Sequence, residues 1–252
     1  MFAKGWALQA KSRKKFKPVI ISRVVNYYYG SRSIPFGLIA IIPLLIVYEV
    51  LAINLNEDKL IEVRNYADVF FKSILDAVGI EGYVALGMLL GAAIFIAFFL
   101  RIDKRHPVKL RYLFGVIIES AIYAVALSYV VDRALQQLYV SAPEAHDRAM
   151  QIMLSFGAGI YEELVFRAFL FGISALTLKR LLGIGPFLSY LLPALFSSAV
   201  FSWIHYLDGT PFDLETGLYR FLAGLFFCLL YQLRGLGVVA WTHTLYDLYL
   251  VL

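Results

Sequence analysis

Apolar stretches long enough to cross a bilayer recur along almost the whole of this 252-residue chain, and they limit what it can fold into. A spanning helix needs about 20 consecutive, largely apolar residues. Seven segments meet that test: 35–55, 82–100, 112–131, 150–178, 187–205, 217–233 and 236–252. Hydrophobic residues make up 61% of the chain and charged residues 16%, with a mean hydropathy of +0.74. A soluble domain carries about 45–50% apolar and about 25% charged residues, so this composition cannot supply a water-facing surface. In hydrocarbon, backbone polar groups must be satisfied within each segment, which segments of this length achieve as helices. The expected fold class is all-α, a polytopic transmembrane bundle of about seven membrane helices, or eight. The fourth segment is too long for one straight crossing, and Gly157 and Gly159 offer it a bend.

Charge orients the bundle. With the N-terminus inside, the inner side collects Lys4, Lys11, Arg13, Lys14, Lys15, Lys17, Arg23, Arg32, Arg101, Lys104, Arg105, Lys109, Arg111, Lys179, Arg180 and Arg234, against the single acid Asp103. Most of the acids fall on the other side, as the positive-inside rule requires. The localisation that follows is integral to the membrane, a prokaryotic plasma membrane, with a cytoplasmic N-terminus. Residues 1–34 read as a basic cytoplasmic tail touching anionic headgroups rather than nucleic acid. Residues 35–149 read as N-terminal transmembrane helices, with an amphipathic helix near 63–78 lying in the outer interface. There Asp68, Lys72 and Asp76 share one face, and Tyr66, Phe70, Ile74 and Val78 another. Residues 150–252 form the core that carries the chemistry. The one cysteine, Cys228, excludes an intrachain disulfide and a cysteine-based metal cage.

Ionisable groups inside spans cost about 2.5–3.5 kcal/mol each on insertion scales and mark function. They gather in Tyr161-Glu162-Glu163-Leu164-Val165-Phe166-Arg167, in Phe201-Ser202-Trp203-Ile204-His205 and in Trp241-Thr242-His243-Thr244-Leu245-Tyr246-Asp247. Glu163 and Arg167 are four apart, so they stack on one helix face and pair. That leaves Glu162, about 100° round the helix, as the carboxylate for chemistry. His243 and Asp247 are also four apart, and the carboxylate can fix the imidazole tautomer. His205 arrives from another helix. Ser202, three residues before His205, is a weak candidate nucleophile, so water activated by Glu162 with His205 is the better reading. Counting about 1.5 Å per residue, however, places His205 roughly 8–10 Å nearer the outer face than Glu162 and His243. Glu49 and Glu119 read as partners for neighbouring helices.

Glu162-Glu163-x-x-x-Arg167, Phe201-x-x-x-His205 and His243-x-x-x-Asp247, in order and 38 residues apart from Arg167 to His205 and again from His205 to His243, resemble the CPBP (Abi) intramembrane protease family. This is the family of the type II CAAX prenyl endopeptidases. The resemblance implies peptide-bond hydrolysis in or beside the membrane, with Glu162 and His205 activating water. It implies that His243 and residue 247 stabilise the oxyanion. The eukaryotic CAAX enzyme carries Asn at that last position; an ionised Asp247 would repel an oxyanion, so Asp247 must be protonated or must act by orienting His243. Glu162, His205 and His243 also have the His₂Glu composition of catalytic zinc sites. The likeness to prenyl endopeptidases favours a metal-free glutamate mechanism, with no cofactor; zinc, if used, would take those three residues.

The partners implied are the lipid bilayer and a membrane-associated protein or peptide substrate, with no nucleic acid and the oligomeric state open. Two other functions compete: a catalytically idle relative acting as a membrane binding or immunity protein, and a transporter relaying protons through Glu162, His243 and Asp247. Transporters tend to show internal repeats, and none is visible here.

Overall fold

The structure is a computed structural model and describes residues 19–56, 64–77, 79, 109–135, 145–207 and 211–252. All the regular elements among them are helical: α1 (Val19–Arg32), α2 (Ile34–Asn56), α3 (Tyr66–Ala77), α4 (Tyr112–Leu135), α5 (Ala145–Gly157), a π-helical stretch (Ala158–Ile173), α6 (Ser174–Arg180), α7 (Pro186–Ile204), α8 (Leu214–Arg234) and α9 (Leu236–Val251). Four of the described helices are long and apolar enough to cross a membrane, spanning Ile34–Leu55, Tyr112–Tyr129, Pro186–Ile204 and Leu214–Arg234. The expected span 82–100 lies outside the described residues. The expected span 150–178 falls within an unbroken helical run from Ala145 to Arg180, and 236–252 is the 16-residue α9.

Residues 19–32, read from the sequence as part of a basic tail, form α1. It is fastened to the end of α8: the Tyr28 hydroxyl donates to the Leu233 carbonyl, and the Arg32 guanidinium to that of Gln232. The Arg234 guanidinium grips Glu119 of α4 through both carboxylate oxygens, at 2.5 and 2.8 Å, and Tyr27 and Tyr123 donate to the same carboxylate. A bidentate pair of this kind is how a charge in α4 becomes tolerable.

Helix α9 is the axis of the bundle. Val238, Val239, Ala240, Thr242, His243, Thr244 and Tyr246 are all buried, and the helix packs on α2, α4, α5, the π-helical stretch and α8. Over Leu236–Tyr246 the helix is enclosed by its neighbours and needs no amphipathic stripe, while Tyr249 and Leu250 at its end are exposed. Small residues let the backbones close up, as is usual between membrane helices. A Cβ on Gly237 would press on Ala40, and one on Gly159 would collide with Thr244 and the Ala240 carbonyl. Gly157 and Gly159 therefore act as points of close approach. The chain turns from α8 into α9 through Gly235 alone, at φ +79°, where a Cβ would also sit 2.6 Å from the Arg32 carbonyl oxygen. Only glycine meets both demands.

Helix α3 presents Asp68 inward, while Asp76 near its end is exposed. Asp68 is buried; its carboxylate meets Lys72 at 3.0 Å and Arg64 at 3.4 Å, and both cations also reach Glu49 of α2. Tyr66, Val69 and Phe70 point outward. This apolar face turned away from the protein suits a helix lying in a membrane interface.

Candidate active site

Burial and pairing divide the two adjacent glutamates. Glu163 is fully buried, with one oxygen 2.9 Å from Arg167 Nη1 and 2.6 Å from His243 Nδ1. Arg167, equally buried, lies over the Phe201 ring at 4.3 Å and the Phe227 ring at 5.0 Å. A desolvated guanidinium between two aromatic faces gains about 2 kcal/mol or more from cation–π attraction. Phe227 also stacks on His243, with centroids 4.5 Å apart and planes 26° apart. The imidazole is thus held by a carboxylate at one nitrogen and a ring on its face.

The sequence pairs His243 with Asp247 four residues on, and the structure brings a second carboxylate, that of Glu163, to the same ring. Nδ1 of His243 is the nitrogen engaged at hydrogen-bond distance, by Glu163 from the neighbouring helix. Asp247 instead faces Nε2, at 3.5 Å, and Glu162 faces the same nitrogen at 3.9 Å. The physical reason is spacing: a carboxylate four residues on reaches the outer nitrogen of a ring on its own helix, whereas the inner nitrogen points across the interface. Nε2 therefore opens into the gap between Glu162 and Asp247.

Glu162 and His205 line one cleft of about 230 Å³, together with Arg64, Asn65, Tyr66, Ala67, Leu154, Phe166 and Ile204. His205 is the first residue beyond α7. Nδ1 lies 2.8 Å from the Phe201 carbonyl, which folds the ring back by one turn along α7. A carbonyl can only accept, so Nδ1 carries a proton, and in a neutral ring Nε2 is then the lone-pair nitrogen. Ser202 is committed elsewhere, its hydroxyl donating to the Gly217 carbonyl at 2.7 Å.

Two contributors were not visible in the sequence. Phe227, on α8, has no polar label to single it out from the other apolar residues of that helix. Asn65 donates from Nδ2 to Glu162 Oε1 at 3.0 Å from 97 residues away. Its only local signal is its place at the start of an amphipathic segment, which suggests a helix cap and nothing more.

The zinc alternative finds no donor cage: among the described residues no three His, Cys, Asp or Glu side chains are grouped to hold a metal ion.

Residues 145–249 match the sequence model of the family described as type II CAAX prenyl endopeptidase Rce1-like, a segment that includes all three motifs. No curated protein and no solved structure matches the chain. The match agrees with the resemblance carried by those motifs. With the apolar helices, it supports an integral membrane protease of CAAX type at the level of the family.

Proposed function

We propose that the chain is an intramembrane endopeptidase that hydrolyses a peptide bond in a membrane-associated protein or peptide. The observation that carries this reading is the shared cleft: Glu162 and His205, from different helices, face the same space, and His243 Nε2 opens beside Glu162. A water in that cleft has Glu162 to take its proton and His205 Nε2 to hold its other hydrogen. The hydroxide attacks the carbonyl carbon, and the proton on Glu162 passes to the departing amine. His243, protonated at both nitrogens, donates to Glu163 from Nδ1 and to the developing oxyanion from Nε2. Asp247, at 3.5 Å from that nitrogen, acts by keeping the ring charged and aimed, and needs no contact with the oxyanion. The steps as written draw on side chains alone.

The test uses purified protein in detergent with a library of membrane-proteome peptides. Wild type should cleave and keep cleaving in the presence of a chelator, while Glu162→Gln should lose about 10²–10⁴ of the rate. Undiminished cleavage by Glu162→Gln, or loss to chelator reversed by zinc, would refute the glutamate mechanism. Silence of wild type across the library, with a stable membrane protein captured instead, would favour the idle binding or immunity role.

A further inference from the structure

The segment matched by the family begins 80 residues after Asn65, yet Asn65 touches the carboxylate at the centre of the site. Asn65 precedes α3 and caps it. Its carbonyl accepts from the Val69 N–H at 3.1 Å, and its side-chain Oδ1 accepts from the Ala67 N–H at 2.9 Å. A backbone N–H can only donate, so the capping bond fixes which end of the amide is oxygen. The amide NH₂ must then face the other way, where Glu162 Oε1 lies 3.0 Å off.

The rest of the surroundings hold this geometry. The Asn65 N–H donates to the Tyr48 hydroxyl at 3.2 Å, and that hydroxyl donates to Asp68 Oδ2 at 2.7 Å. Asp68 is in turn held by Arg64 and Lys72. On the opposite side a Cβ on Gly157 would sit 2.7 Å from both Asn65 Cβ and Tyr48 Cε2, so the approach of α3 to the helix that bears Glu162 requires glycine there. The bond occupies Oε1 and leaves Oε2 on the side of His243, 3.9 Å from its Nε2, in a residue that lines the cleft. A residue needed only as a cap would have no use for an NH₂ group; Ser, Thr or Asp would serve as well.

We propose that Asn65 is a positioning residue for the Glu162 base: by donating to Oε1 it locks the carboxylate with Oε2 aimed at the reacting water. The proposal rests on the hydrolase reading above and adds to it a part of the site supplied from outside the family-matched segment.

The deciding variant is Asn65→Asp, which keeps the capping oxygen and nearly the same shape but replaces the donor to Glu162 with a second carboxylate. A carboxylate swung by about 1 Å should cost roughly 100-fold in kcat, with KM within about twofold, because substrate binding does not use this bond. Asn65→Ser, which also caps but cannot reach Glu162, should lose kcat in the same sense. A melting series supplies a readout independent of cleavage. Asn65→Asp should lower the melting temperature, and adding Glu162→Gln should restore it, because amide and carboxylate then exchange sides across the same hydrogen bond. Wild-type kcat in Asn65→Asp, a loss confined to KM, or a double variant that melts no higher than Asn65→Asp would overturn the proposal. A wild type that cleaves nothing sinks the hydrolase reading itself, and the positioning role with it. Cleavage by wild type with unchanged kcat in Asn65→Asp sinks Asn65 alone.

Discussion

Replacing Arg167 with Met gives the sharpest test of how this bundle holds charge. The guanidinium has no exposure to solvent, pairs with Glu163 at 2.9 Å and lies on Phe201 and Phe227. Met fills much the same volume but leaves the fully buried Glu163 carboxylate with His243 alone. Breaking a buried pair by removing one partner costs about 3–5 kcal/mol. For a chain near this size each kcal/mol moves the melting temperature by about 2–4 °C, so Arg167→Met should melt roughly 6–20 °C lower. Adding Glu163→Gln should recover most of that loss, since a neutral amide is left and its oxygen can still accept from His243 Nδ1. The protein carries its own reporter: Cys228 is the sole cysteine and is buried, so a thiol-reactive fluorophore reads its exposure on heating. A shift under about 2 °C in Arg167→Met would refute the reasoning. So would a double variant whose loss equals the sum of the two single losses, since groups in contact must couple.

Two further outcomes follow from the helix contacts. Gly159→Ala places a methyl group against Thr244 and the Ala240 carbonyl, which costs about 1–3 kcal/mol by overpacking, where an exposed helical Gly→Ala gains stability. Cys228 labelling should show a lower melting temperature, partly regained on adding Thr244→Ala; a higher one would disprove the contact. Asp213 caps α8, and the Thr216 N–H that it accepts holds its carboxyl below the usual carboxylate range. Its contribution is complete above the unfolded value and drains away as pH falls through the lowered folded value. Asn is as good a cap and has no charge to lose. Asp213→Asn should therefore melt like wild type at neutral pH and lose less in acid, over about pH 5 to 2. Parallel acid limbs in the two proteins would contradict this assignment.

Much of the architecture was legible because bilayer solvation is severe. Four stretches chosen on apolar length alone, 35–55, 112–131, 187–205 and 217–233, correspond to helices long and apolar enough to span. The polar residues of 161–167, 205 and 243–247 stood out for the same reason, as charges in hydrocarbon are costly wherever they occur. Partner choice was harder to read. Helical periodicity puts Glu163 beside Arg167 and His243 beside Asp247, and both contacts exist, but it cannot say that Glu163 crosses to His243 Nδ1. Nor can it say that α3 folds back on the helix bearing Glu162. Asn65 is an ordinary cap when seen from its own helix, and its second bond depends on Gly157, 92 residues later, leaving room. Interhelical register decides such contacts, and one sequence carries no direct signal for it.

The division of labour between Glu162 and Glu163 follows from that register. Neighbours on a helix, even in the wider turns of the π-helical stretch, differ by roughly 80–100° in direction, so one interface cannot claim both. Glu163 points into the interface with α7, α8 and α9, where Arg167 and His243 balance its charge and the aromatic rings of Phe201 and Phe227 exclude water. A carboxylate so paired is tied down and can orient an imidazole, but it has no room to accept a proton from substrate water. Glu162 points toward α3 and the cleft, where one hydrogen bond from Asn65 holds it and one oxygen remains open. Bringing Glu163 to the cleft would require turning the helix by a single residue. Such a turn would carry Glu162 past the cleft and Arg167 off the Phe201 and Phe227 rings, and it would break the contact at Gly159 that seats α9. The fit of Gly159 against Thr244 and Ala240 thus fixes which of two chemically identical side chains faces the cleft.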